Sequence, residues 1–111
     1  MLSAIVITKN EEDRIKACLE SIKWADEIIV VDNGSQDNTL KIAEKYTQKV
    51  FKVNLQDFSE VRNFAMEKTS GDWVLFVDAD ERVLEPLKEE IEVIISFSDY
   101  SAYAISRRNV I

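Results

Sequence analysis

The chain has 111 residues, enough for one core and hardly for two. It is 46% apolar and 32% charged, which reads as globular, and a formal net charge of −7 without a basic block argues against binding bare nucleic acid. Having no histidine and a single cysteine, Cys18, it has no basis for an internal disulfide or a structural zinc site. No apolar run approaches the ~20 residues of a membrane span. The opening MLSAIVITKNEE is too short, and lacks the basic flank, for a signal peptide, so the default compartment is the cytoplasm.

The elements alternate from the start. Ser3 to Thr8 is a short β-branched run, a strand. Asn10 is placed to cap a helix with Asp13 three residues on, and that helix carries Ile15, Cys18, Leu19 and Ile22 at helical spacing. EIIVVD, Glu27 to Asp32, is a second strand, and its unbroken apolar run suits a parallel sheet covered on both faces. NGSQD is turn chemistry and leads to a helix with Leu40, Ala43 and Tyr46 on one side. Lys49 to Val53 is a weaker third strand. Asp57 or Ser59 caps a third helix carrying Val61, Phe64, Ala65 and Lys68, and Gly71 reads as the left-handed residue that ends it. WVLFVDADER holds the fourth strand. Pro86 suits the first turn of a fourth helix over Glu85 to Phe97, and Tyr100 to Ser106 is a candidate fifth strand. Strand and helix in alternation predict a three-layer α/β/α, Rossmann-like domain with a mostly parallel sheet, continuous over 1–111. The ending SRRNVI, with neither helix nor polar tail, suggests the N-terminal part of a longer domain.

In such a sheet ligands bind at the carboxyl ends of the strands. The first strand is followed by Thr8-Lys9-Asn10-Glu11-Glu12, the second by Asp32-Asn33-Gly34-Ser35, the fourth by Asp78-Ala79-Asp80-Glu81. Three acidic or amide-rich clusters then share one edge, and their repulsion is tolerable if a cation sits among them. Two carboxylates spaced D-x-D offer hard oxygen ligands to Mg²⁺ or Mn²⁺, which could bridge an acidic protein to a diphosphate. Alone, the motif is equally a strand-end residue followed by a turn cap. Arg62 is a solvated, acid-paired side chain or a fixed positive charge facing the strand ends. With two glycines, Gly34 and Gly71, there is no dinucleotide fingerprint or P-loop. Cys18 lies on an apolar helix face and reads as core.

SAIVITKNEE, EIIVVDNGSQD and DFSEVRNFAMEKTSGDWVLFVDADER, in this order over about the first ninety residues, resemble the N-terminal half of family 2 glycosyltransferases of the GT-A fold. The closest likeness is to the bacterial lipopolysaccharide-core glucosyltransferase type. The resemblance implies a nucleotide-diphosphate sugar donor, commonly a UDP-sugar, a divalent cation (Mg or Mn), and a glycan or lipid-linked glycan acceptor at the inner membrane face. Thr8, Asn10 and Glu11 match the first nucleotide-contacting loop, Asp32 the acid that contacts the base, and Arg62 the helix arginine near the nucleotide. Asp78, Ala79 and Asp80 match the D-x-D, with Asp78 by the ribose and Asp80 on the metal. Transfer would invert the anomeric centre, assisted by the metal and by a separate carboxylate base.

Two departures from the family pattern matter. Asn33 stands where many relatives have a second consecutive acid, which bears on base or ribose contacts. No catalytic base is evident, Glu81 being better read as a surface or salt-bridge residue, so this chain alone is expected to be weak in transfer. Two other classes compete. A haloacid-dehalogenase-like, Mg-dependent phosphatase also uses D-x-D after a strand, but on its first strand and with a Thr or Val two places on. A non-catalytic, receiver-like α/β binding domain would use Asp32 in an acidic pocket and needs a lysine at a later strand end, which is not evident.

Overall fold

The computed structural model describes residues 1–97 and 109–110. Five strands, β1 (Leu2–Thr8), β2 (Glu27–Asp32), β3 (Val50–Lys52), β4 (Trp73–Asp78) and β5 (Asn109–Val110), form one sheet in the order β3-β2-β1-β4-β5. All four pairings are parallel. Between them run α1 (Ile15–Ser21), α2 (Thr39–Ala43), α3 (Phe58–Glu67) and α4 (Glu85–Phe97). The expected fifth strand at 100–106 lies outside the described residues.

The central position of β1 explains its composition. Every residue of LSAIVIT is buried except the half-buried Ile7, because β2 and β4 flank it and helices cover both faces. On one face Ala4, Val6, Val30, Leu75 and Val77 pack with Ile15, Cys18 and Leu19 of α1, Ala43 of α2 and Ile91 of α4. On the other, Ile5, Ile29, Val31 and Val74 pack with Val61 and Ala65 of α3. Each fully buried aliphatic chain contributes roughly 1.5–3 kcal/mol over leaving it exposed. The three-layer α/β/α arrangement expected from the alternating pattern is therefore the one adopted.

Three local readings are corrected. Asn10 does not cap α1. The N-cap is Arg14, with no side-chain cap bond, and Asn10 sits in the left-handed region at φ 53° within the preceding loop. Gly71 does not end α3 in a left-handed turn; α3 closes at Lys68. Gly71 is needed for close approach, since a Cβ there would stand 2.7 Å from Ser3 Oγ, 2.8 Å from the Met1 carbonyl and 2.9 Å from the Ser3 nitrogen. α2 ends at Ala43, before Tyr46; Thr39 and Ala43 are buried and Ile42 and Tyr46 pack on the core, while Leu40 lies only half-buried. Asp57 does cap α3, its Oδ1 accepting from the Ser59 N–H at 2.8 Å.

The order in which strands are added reverses at β1. From β1 the sheet grows through β2 and β3 on one side, and β4 is laid down on the other. This is a topological switch point, where a crevice opens beyond the carboxyl ends of the strands. The register aligns those ends, pairing Thr8 with Asp32 and Ile7 with Asp78.

Candidate functional site

The crevice is built by two loops stitched together. The Asn10 N–H donates to Ser35 Oγ (2.8 Å), and Asn10 Oδ1 accepts from the Gln36 N–H (2.7 Å). The Glu11 N–H donates to Thr39 Oγ1 at 3.0 Å, and the Asn38 N–H to Glu12 Oε2 at 2.9 Å. Asp37 receives both the Thr39 N–H and the Thr39 hydroxyl, and the Glu12 N–H at 3.2 Å. A left-handed Asn10 is thus held by bonds at both its backbone and its side chain, which offsets its conformational cost.

Beneath this lid lie two unmatched oxygens. Asp32 is fully buried, and its Oδ1 accepts from the backbone N–H groups of Gly34 (3.1 Å) and Ser35 (2.7 Å). Its Oδ2 and the hydroxyl of the paired Thr8 are buried and have no hydrogen-bond partner among the described residues. Buried polar atoms are nearly always partnered, and leaving one alone costs on the order of 1–3 kcal/mol. Asn33 is differently employed. Its amide closes a two-way bridge to Leu55, donating to the carbonyl at 3.0 Å and accepting from the N–H at 2.9 Å. The residue in the place of a second acid therefore spends its polar atoms on the following loop.

At the end of β4 the chain turns at once, the Glu81 N–H reaching the Asp78 carbonyl at 2.9 Å. Glu81 folds back so that Oε1 accepts from the Asp78 N–H at 3.0 Å. Ala79 points inward and is buried, while Asp78, Asp80 and Glu81 face solvent. The Asp78 carboxyl is raised above the ordinary aspartate range, first by burial, then by the charges of Glu81 and Asp80 and a hydrogen bond with Glu81. Like charges crowded around Asp78 are a setting that a cation relieves. Arg14 lies 3.8 Å from Asp80, but both side chains are largely exposed and the pair is worth little. From below, the Cys18 Sγ–H meets the Asp78 carbonyl at 3.5 Å. Burial, followed by the charges of Glu81, Asp78 and Asp80, pushes this thiol up to about 12, so it is an unreactive core residue, as its helical position implied.

A cleft of about 330 Å³ joins these parts. Thr8, Glu11, Asp78, Ala79 and Asp80, all singled out in the sequence, line it, together with Ile7, Lys9, Asn33 and Phe58. Asp32 lies under it, fully buried. Asn10 and Arg62 do not line it. Asn10 is committed to the loop stitching, and the Arg62 guanidinium stacks 4.0 Å from the centroid of Phe76, two residues before Asp78. Lys9, Asn33 and Phe58 were not singled out as site residues; Lys9 and Asn33 were quoted in the strand-end clusters, but Phe58, at the start of a helix, carried no polar signal. Larger hollows lie at the amino end of the sheet (about 420 Å³) and along α4 (about 540 Å³). Chemistry favours the smaller one, because the unmatched buried oxygens and the crowded carboxylates are beside it. Among the described residues no group of three or more acidic or sulfur ligands is arranged to hold a metal by itself. The D-x-D pair suits an ion that completes its shell with phosphate oxygens and water.

The glycosyl transferase family 2 model matches residues 3–109, and the chain belongs to that family. It is 40% identical over 103 residues to an uncharacterized glycosyltransferase of Rickettsia conorii, covering 92% of this chain and 36% of that protein. It is 32% identical to the lipopolysaccharide core biosynthesis glycosyltransferase LpsC of Rhizobium meliloti, covering 88% of this chain and 38% of LpsC. Among solved structures it superposes on TarS of S. aureus in complex with UDP with a TM-score of 0.69 and 34% identity, over 89% of this chain and 32% of that one. It also superposes on glucosyl-3-phosphoglycerate synthase of Mycobacterium tuberculosis in complex with Mg²⁺ and UDP, with a TM-score of 0.64 and 28% identity, over 74% and 35%. The fold is therefore GT-A, and the chain spans about a third of the length of the proteins it matches. These likenesses favour neither the phosphatase nor the receiver-like reading.

Proposed function

We propose that this chain is a GT-A donor-binding domain and that its cleft takes a nucleotide-diphosphate sugar, most readily a UDP-sugar, for transfer to a glycan or lipid-linked glycan. The observation that carries the reading is the pair of partnerless buried oxygens, Thr8 Oγ1 and Asp32 Oδ2, beside the crowded D-x-D carboxylates. A uracil ring offers an imide N–H and carbonyl oxygens, the complement of a carboxyl oxygen and a hydroxyl. Asp32 Oδ1 is fixed by two backbone donors, so Oδ2 is the oxygen left to receive the base.

Asp78 and Asp80 would hold a divalent cation, Asp78 also approaching the ribose and Asp80 the metal more directly. When bound, that cation would neutralise the diphosphate and stabilise it as a leaving group. Lys9 at the cleft wall adds positive charge for the phosphates. Ala79, buried between the two carboxylates, lines the same cleft. Inversion at the anomeric carbon, with a carboxylate base acting on the acceptor hydroxyl, is the course we assign to transfer. The match to LpsC supports a lipopolysaccharide-type acceptor, and with it work at the cytoplasmic face of a membrane. No helix among the described residues is long and apolar enough to cross a membrane.

The test is calorimetric titration of UDP with and without Mn²⁺ or Mg²⁺, repeated on Asp80→Ala. Metal-dependent binding that the substitution abolishes supports the reading. If neither metal nor substitution alters UDP binding, the D-x-D is not the metal seat.

A further inference from the structure

Phe58 is 61% exposed at the first position of α3, yet it lines the candidate cleft. It is the only aromatic among the described residues that do so. Its position is fixed by a chain of bonds that begins at the floor of the site. Asn33, next to Asp32, clamps Leu55 through both its amide atoms, and Asp57 then caps α3 through Ser59. The ring therefore stands on the first turn of a capped helix and is held over the end of β2 by a side chain that begins beside the buried Asp32. A phenylalanine this exposed loses free energy by facing water. Apart from Phe58, the large apolar side chain lining the cleft is Ile7, which offers no ring, and the remaining lining residues are polar or small.

Resting on the donor-site reading, we infer that Phe58 is a binding residue whose ring stacks on the nucleobase, and that Asn33 is the positioning residue that sets it there. Edge recognition by Thr8 and Asp32 and face recognition by Phe58 then converge on a single planar heterocycle. Asn33 stands where a second acid is common because its amide, unlike a carboxyl, can both donate to and accept from the Leu55 backbone. An acid at this position would keep only one of the two bonds.

The experiment is titration of uridine, UDP and magnesium pyrophosphate into the wild-type chain, Phe58→Ala and Phe58→Trp. Stacking on an aromatic is typically worth enough that its loss weakens binding about tenfold. Phe58→Ala is expected to weaken uridine and UDP by about that factor and to leave pyrophosphate unchanged. Phe58→Trp is expected to retain affinity, with the new indole quenched by uridine. Asn33→Asp should reproduce part of the Phe58→Ala loss, with uridine and UDP affected alike. Unchanged uridine affinity in Phe58→Ala, or an equal loss for pyrophosphate, overturns the inference. If the wild-type chain itself binds neither uridine nor UDP, the donor-site reading fails and the stacking role with it. Wild-type binding with an indifferent Phe58 sinks the stacking role alone. Because the ring is mostly exposed, a folding defect is not expected, and equal unfolding midpoints for Phe58→Ala and wild type check this.

Discussion

The two ends of the sheet are built from similar side chains and treated in opposite ways. At the amino end, Glu27 is nearly buried, yet its carboxylate is fully engaged. Oε1 accepts from Ser3 Oγ (2.7 Å) and the Ser70 N–H (2.8 Å), and Oε2 pairs with Lys49. Asp26 accepts from the Leu2 N–H at 2.7 Å, and Ser3 Oγ in turn receives the Gly71 N–H at 2.9 Å. At the carboxyl end, Asp32 Oδ2 and Thr8 Oγ1 are buried with no partner among the described residues, and Asp78 crowds against Glu81 and Asp80. One end ties β1, β2, β3 and the loop before β4 together. The other carries polar groups that the fold does not satisfy. Stability is concentrated at the amino end, and unmet polarity at the end we propose binds the donor.

Protonation separates the ends by sign. Burial alone would raise the Glu27 carboxyl, but hydrogen bonds from Lys49, Ser3 and Ser70, with the Lys49 charge, outweigh it and hold it at about 2. A carboxyl lowered in the folded state adds stability above its unfolded value and loses it as pH falls toward the folded value. Glu27 therefore supports the fold at neutral pH and withdraws that support between the ordinary glutamate range and about 2. Asp78 is shifted upward, so its contribution runs the other way: the folded state gains relative stability as Asp78 takes up a proton, and a bound cation competes with that proton. A urea-melt series across acidic pH should show net loss dominated by Glu27, a loss that Glu27→Gln flattens. Metal-dependent UDP affinity should fall on acidification at a higher pH than an ordinary aspartate would give.

The largest stability effect is expected from Glu27→Ala. It strands the Ser3 hydroxyl, the Ser70 N–H and the Lys49 ammonium, and should cost about 3 kcal/mol in urea unfolding. UDP affinity of the folded fraction should stay put; a parallel loss would mean the ends are not independent. Next is Gly71→Ala, whose methyl would meet the backbone of Met1 and Ser3. Crowding of this kind costs about 1–3 kcal/mol, again without a binding phenotype. Asp80→Ala should do the reverse, changing stability by less than about 0.5 kcal/mol because the side chain is exposed, while removing the metal dependence of UDP binding.

Much of this was legible in the sequence, for identifiable reasons. IIVV and WVLFV are too short for helices and too apolar for an exposed edge, so a doubly covered parallel sheet follows, and with it the edge at which Asp32 and Asp78 end their strands. The α4 start at Glu85, with Pro86 in its first turn, was a local matter and came out as read, and of the two cap candidates for α3, Asp57 and Ser59, it is Asp57 that caps. What failed depended on distant partners. Asn10 resembles a helix cap but is stitched to Ser35 and Gln36, which lie more than twenty residues on. Gly71 stands after a helix, where a left-handed turn is common, but its constraint comes from the N-terminal strand. Arg62 was read as facing either solvent or the strand ends, and it stacks on Phe76 because the β4 face offers a ring beneath it. Phe58 was silent because an apolar residue beginning a helix looks like core until the cleft beside it is known.

If Asp32 is kept for a ligand at some cost to the fold, Asp32→Asn will separate stability from binding. The amide oxygen can keep the Gly34 and Ser35 bonds, which leaves an NH₂ facing the base where an acceptor stood. A neutral amide is also cheaper to bury than a carboxylate. Urea unfolding and UDP titration should therefore separate: stability equal to wild type or higher, and UDP affinity weaker by tenfold or more. Unchanged UDP affinity, or a stability loss above about 2 kcal/mol, would contradict the account and make Asp32 a structural residue of the β2 turn.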